Sequence, residues 1–192
     1  MGQAKQKAAA MSKWMDGLSN EEKIVHRVAR DLFDKVIKPR NFTGMCYHSV
    51  FFLNEYLREK HGIATLPVIG YVNDGTDDIM MSHAWLDFGG RKTDVSLAVT
   101  EHPDVSPAGE LIVLDKVIKV GHKYSYHHDM GAAGLRALQS IQASGGQAIV
   151  EHKLQEHLLM DARDKDPALI RPYLDAEPNG FDYLKIVKLI EA

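Results

Sequence analysis

Ile24, Val28, Leu32 and Val36 run beside Val25, Ala29, Phe33 and Ile37, a double apolar stripe at helical spacing. Ser19 and Glu22 stand before it in capping-box order, each able to satisfy an orphan backbone donor of the first turn. Pro39 and the polar "RNFTG" end that helix. A second helix opens at Cys46 in "GMCYHSVFFLNEYL", where apolar residues occupy most positions, and it stops at His61-Gly62, a good C-terminal signal. The period then changes. "IATLPVIGYV" reads as a strand, "NDGTDD" as a turn and "IMMSHAWLDF" as a second strand. Gly89-Gly90 marks a tight turn into a third strand, "RKTDVSLAV", followed by the loop "TEHPDVSPAGE" and a fourth strand, "ELIVLDKVIKV". From about Gly131 the pattern is helical again, in "GLRALQSIQAS", "IVEHKLQEHLLMDA" and "FDYLKIVKLIEA".

The order helix, helix, strands, helices predicts an α+β fold, an antiparallel sheet with helices packed on it and the Cys-bearing helix against the sheet. Residues 1–16 are helical in composition and are expected to form a weakly anchored arm. Residues 17–192 are expected to form one domain, with a core at about 42–120 and a helical extension at about 131–192.

Composition narrows the function classes. Of 192 residues 45% are hydrophobic and 26% charged, ordinary for a soluble globular protein. A net charge of -3 gives no general pull towards nucleic acid or an anionic membrane, so neither is an expected partner. No apolar run approaches the roughly 20 residues of a membrane span. The basic start, with Lys5, Lys7 and Lys13, lacks the apolar core of a secretion signal, and Gln6 does not suit a myristoylation signal. One cysteine excludes an internal disulfide framework, and a cytoplasmic protein is expected.

That one thiol, Cys46, begins a helix, and two strands supply possible partners. A two-residue Gly89-Gly90 turn sets Phe88 opposite Arg91, Trp85 opposite Asp94 and His83 opposite Ser96. His83, Trp85 and Asp87 then share a face with Lys92, Asp94 and Ser96. Ala84, Leu86 and Phe88 share the apolar face with Val95, Leu97 and Val99. His83 and Asp94 become diagonal neighbours, with alpha carbons about 7–8 Å apart, a gap their side chains can cross. Asp87 is the rival carboxylate on the same face. A thiolate is the reactive form of cysteine, favoured at a helix N-terminus or beside an imidazolium. First-turn N–H groups, that of Cys46 included, are suited to a developing oxyanion.

"GMCYHSV", "SHAWLDF" and "KTDVS", in that order, resemble the core motif of the transglutaminase-like superfamily. The segment "HGIATLPVIGYV" between the Cys and the His is similar too, so the resemblance spans about Phe42 to Ala98. It implies a papain-related core in which Cys46 is the nucleophile, His83 the general base and acid, and Asp94 the residue that orients the imidazole. Tyr47 stands where many members carry a Trp. Tyr47 and Trp85 are the candidate substrate contacts, with core packing as the competing role for each.

The expected activity is a cysteine-dependent amide or peptide hydrolase or an acyl transferase working through an acyl-thioester. The expected partner is a peptide or protein amide substrate. Hydrolysis and transfer stay open, as does the oligomeric state. A non-catalytic peptide-binding module on the same scaffold is the alternative, in which Cys46 is an inert, buried residue. Arylamine-type acyl transfer requires a thioester donor such as coenzyme A, for which the sequence offers no phosphate-binding loop. No metal or organic cofactor is expected: His122, His127, His128 and Asp129 lack ligand spacing, and His152 and His157 fall five apart on a helix.

Overall fold

In a computed structural model, which describes residues 2–100, 103, 104, 106–176 and 180–192, the capping box closes in both directions. Ser19 Oγ accepts from Glu22 N at 3.1 Å, and Glu22 Oε2 accepts from Ser19 N at 2.6 Å. This opens α2 (Asn20–Asp31), preceded by α1 (Gly2–Asp16). The last turn of α1 is held at the core by Trp14 and Met15, with the Trp14 ring edge-on to His26. Residues 2–16 thus form a helix whose last turn meets the core.

The helix opened by α2 runs through Pro39 and ends in the polar residues just after it. The helix widens to a π turn over Leu32–Ile37, where Lys38 N bonds Phe33 O, and then continues as α3 (Lys38–Arg40). Proline cannot donate to the carbonyl four residues back. The Lys35 carbonyl instead accepts from Arg40 Nη1 at 2.8 Å. Asn41, in the left-handed region at φ 49°, ends it.

α4 (Cys46–His61) explains its own lack of polarity: it lies at the centre of the molecule. It packs on the sheet, on α2 and on α7 (Ile170–Asp175). Phe51, Phe52, Leu53 and Leu57 are almost fully buried, each stabilising the fold by about 1.5–3 kcal/mol.

The four-stranded sheet runs in the order β3 (Arg91–Thr93), β2 (Met81–Phe88), β1 (Leu66–Asn73), β6 (Ser125–His127), all antiparallel. The hairpin turn is the two-residue Gly89-Gly90, both at positive φ, a conformation that glycine adopts without steric cost. Phe88 pairs with Arg91 and Leu86 with Thr93, the register expected from sequence.

Three expectations need correction. The strand expected over 91–99 ends at Thr93, because the chain leaves β2 and bridges β4 (Leu111–Val113) through Asp94 and Ile112. The single strand expected over 110–120 is a hairpin of β4 and β5 (Lys116–Lys119), folded at Leu114-Asp115, both left-handed. "GHKYSYHHDM", read as an irregular loop, contains β6. Within the loop expected at 100–110, Glu101, His102 and Val105 lie outside the described residues.

The C-terminal half is helical: α5 (Gly131–Ile141), α6 (Gln147–Lys165), α7 and α8 (Tyr183–Glu191). Tyr183, Ile186, Val187 and Ile190 of α8 complete the core. The fold is α+β, an antiparallel sheet with packed helices and a helical C-terminal half.

Leu114 N donates to the buried Thr93 Oγ1 at 3.0 Å, anchoring the β4–β5 turn one residue before Asp94. Thr93→Val keeps the shape and strands that donor. Its unfolding free energy in urea is expected to fall by about 1–3 kcal/mol; an unchanged value would remove this anchor from the account.

Candidate active site

α4 begins without help from a side chain. Its N-cap, Met45, makes no side-chain cap hydrogen bond, and first-turn N–H groups have no partner inside their own helix. Cys46 is the first residue of the helix and is half-buried. β2 brings His83, 4% exposed, beneath it.

The imidazole lies between two groups. Its Nε2–H donates to Asp94 Oδ2 at 2.7 Å, and the ring lines one small cavity together with Cys46, whose side chain helps to raise its basicity. With Nε2 committed to Asp94, Nδ1 is the nitrogen left for the thiol.

Asp94 is 2% exposed, and both its oxygens are occupied. Oδ1 accepts from Ser96 N and Ser96 Oγ, each at 2.9 Å. Oδ2 accepts from His83 and from the Tyr126 hydroxyl at 2.8 Å. The backbone is held as well: Asp94 N donates to Ile112 O at 2.8 Å, and Ile112 N to Asp94 O at 2.9 Å. A buried carboxylate with four donors is a stable anion.

These neighbours set the charge states. Burial works to depress the basicity of His83, but the Asp94 carboxylate, its hydrogen bond and the Cys46 side chain outweigh it, pushing the His83 pKa up to about 10. Burial works to raise Asp94, and the His83 charge with the bonds from His83, Ser96 and Tyr126 holds it below the ordinary carboxylate range. An imidazolium–carboxylate pair is the form both shifts favour.

Of the residues singled out from sequence, Cys46, His83 and Asp94 come together. Asp87 does not join them: its Oδ1 accepts from Gly90 N at 2.9 Å, closing the hairpin turn. Tyr47 is buried, with its hydroxyl 2.5 Å from Ser82 Oγ, which in turn lies 2.5 Å from His157 Nδ1 on α6. That relay ties the first turn of α4 to the helical half. Trp85 is 5% exposed and lines neither cavity at Cys46. Its indole lies over Gly70, where an added Cβ would come within 2.8 Å of the ring, and meets Tyr126 edge-on at 5.2 Å. Trp85 therefore supports Tyr126 from below.

Tyr126 was missed from sequence. The Lys92 ammonium sits over its ring, 3.2 Å from the centre. The alternation Tyr124-Ser125-Tyr126 is a strand signal that the following histidines and Asp129 obscured.

Two cavities meet at Cys46. A small one of about 180 Å³ is lined by Cys46 and His83, by hydroxyl-bearing residues such as Ser96 and Ser106, and by the apolar Leu97, Val99 and Pro107. A larger one of about 430 Å³ is lined by Cys46, Tyr47 and mainly apolar residues of α5, α6 and the start of β2. Among the described residues, no group of three or more His, Cys, Asp or Glu side chains is placed to hold a metal ion. No described helix is long and apolar enough to cross a membrane.

No protein-family model, curated protein or solved structure matches the chain. The functional reading therefore rests on this geometry.

The raised His83 pKa has a consequence for stability. A group whose pKa is higher folded than unfolded stabilises fully below its unfolded value and loses that effect as pH rises through its folded value. The Asp94 contribution, with its lowered pKa, is lost instead as pH falls below the carboxylate range. The urea midpoint of wild type should therefore exceed that of Asp94→Asn most just below pH 6.5, and the gap should narrow as pH approaches about 10. A gap independent of pH would contradict the charged pair.

Proposed function

We propose that the protein is a cysteine-dependent amide hydrolase or acyl transferase with a transglutaminase-like, papain-related core, acting on a peptide or protein amide. The observation that carries this reading is His83, bonded through Nε2 to Asp94 at 2.7 Å and interacting with Cys46. Sequence order and geometry agree with the Cys-His-Asp arrangement the resemblance implies.

The chemistry follows from the positions. The sulfur, its proton already held on His83 Nδ1, attacks the amide carbonyl carbon. The electron pair of the carbonyl moves to oxygen, which faces the first-turn N–H groups of α4. Collapse of the tetrahedral species breaks the C–N bond, and the His83 imidazolium gives its proton to the departing amine. An acyl-thioester on Cys46 remains. Water or a second amine, deprotonated by His83, attacks it; the C–S bond breaks, and the sulfur anion and the His83 imidazolium are restored. Asp94 holds Nε2 protonated, so Nδ1 does the proton work. These steps call on no metal or organic cofactor.

Iodoacetamide labelling of the native protein, followed by intact mass, tests the reading. Cys46 should label, and His83→Ala should slow labelling by about a hundredfold or more, within the range general-base removal produces. Cys46→Ala should abolish labelling and acyl turnover while leaving the circular dichroism spectrum unchanged. Labelling that ignores His83 would favour the non-catalytic peptide-binding module instead.

A further inference from the structure

The two cavities at Cys46 are unequal in size, in polarity and in their access to His83. Only the small one is lined by His83. In thiol acyl transfer the leaving group must receive a proton from the imidazole, and the incoming water or amine must give one to it. Both events belong on the side where His83 is. The acyl group stays on sulfur through both steps and needs no contact with the histidine. It belongs on the other side.

That other side is a chamber of about 430 Å³ lined by Met80 and Met81, by Leu138 and Ile141 of α5, and by Ile149 and Val150 of α6. Its two charged lining residues, Lys153 and Glu156, pair with one another at 2.8 Å. Neither charge is left free to select an ionic group. Thioethers and branched aliphatic side chains adapt to flexible hydrocarbon. The small cavity, at about 180 Å³ and with hydroxyl groups among its lining residues, suits water, ammonia or a small amine.

We propose that Cys46 accepts acyl groups that carry a large, uncharged apolar chain next to the reacting carbonyl, seated in the α5–α6 chamber, from donors whose leaving group is small. This rests on the nucleophile assignment above and adds the direction of the substrate across the sulfur.

The test uses two isomeric thioesters of equal hydrophobicity, S-methyl octanethioate and S-heptyl ethanethioate. With each, the Cys46 sulfur attacks the carbonyl, the donor C–S bond breaks, and the released thiolate takes the proton held by His83. Acylation of Cys46 is followed by intact mass and acid formation by NMR. The octanoyl donor should react about tenfold faster or more, the gain expected when several methylenes leave water. Leu138→Trp, which fills the chamber, should reduce the ratio of the two rates several-fold. Ile149→Asp, at a site 69% exposed where folding is not at stake, should do the same.

Equal rates for the isomers, both lowered by His83→Ala, would keep the nucleophile and overturn the chamber assignment. A faster heptyl ester would reverse the direction and overturn it as well. If neither isomer acylates Cys46 in a His83-dependent way, the nucleophile assignment fails and takes this inference with it.

Discussion

A carboxylate withdrawn from water stays ionised only if charge and hydrogen bonds replace what water supplied. Asp94 is where this fold meets that requirement, and much of the sheet's irregularity follows from it. β3 stops at Thr93 so that Asp94 can bridge to Ile112. The turn beyond supplies Ser96 twice, β6 supplies Tyr126, and β2 supplies His83. Parts of the chain far apart in sequence converge on one side chain. The imidazole is held in one orientation as a result, with its free edge turned to the helix that starts at Cys46.

Much of this was legible in sequence because it is local. The capping box marked the start of α2, and the Gly89-Gly90 turn and period-two alternation fixed the hairpin register, which brought Asp94 within reach of His83. Extrapolating the strand through Val99 failed at Asp94: regular pairing past Thr93 would leave its backbone on β2, whereas it is bonded to Ile112. The hairpin at Leu114-Asp115 was illegible because two non-glycine residues adopt positive φ there, held by contacts to Thr93 and Lys92. Tyr126 depends on a strand of three residues that pairs with β1, some fifty positions away. Neither the π turn before Pro39 nor the role of Asp87 in its turn carries a distinctive residue pattern.

The two halves of the chain contribute different things. The strands and α4 build the charged, hydrogen-bonded side of the site, whereas α5 and α6 wall its apolar side. The relay from Tyr47 through Ser82 to His157 joins them, so the helical half is bonded to the turn that carries the thiol. Burial works against protonation of His157, which suits an imidazole that accepts from the Ser82 hydroxyl. The apolar wall beside Cys46 thus comes from the part of the molecule with the least distinctive sequence, in which only the spacing of apolar residues on two helices is visible.

The most direct measurement is the nitrogen-15 NMR titration of the His83 ring between neutral pH and about pH 10. With Asp94 ionised beside it, both ring nitrogens should stay protonated far above the ordinary histidine range, and Asp94→Asn should bring the transition down. A His83 ring that titrates near 6.5 in wild type, with no response to Asp94→Asn, would contradict the buried pair on which the site is built.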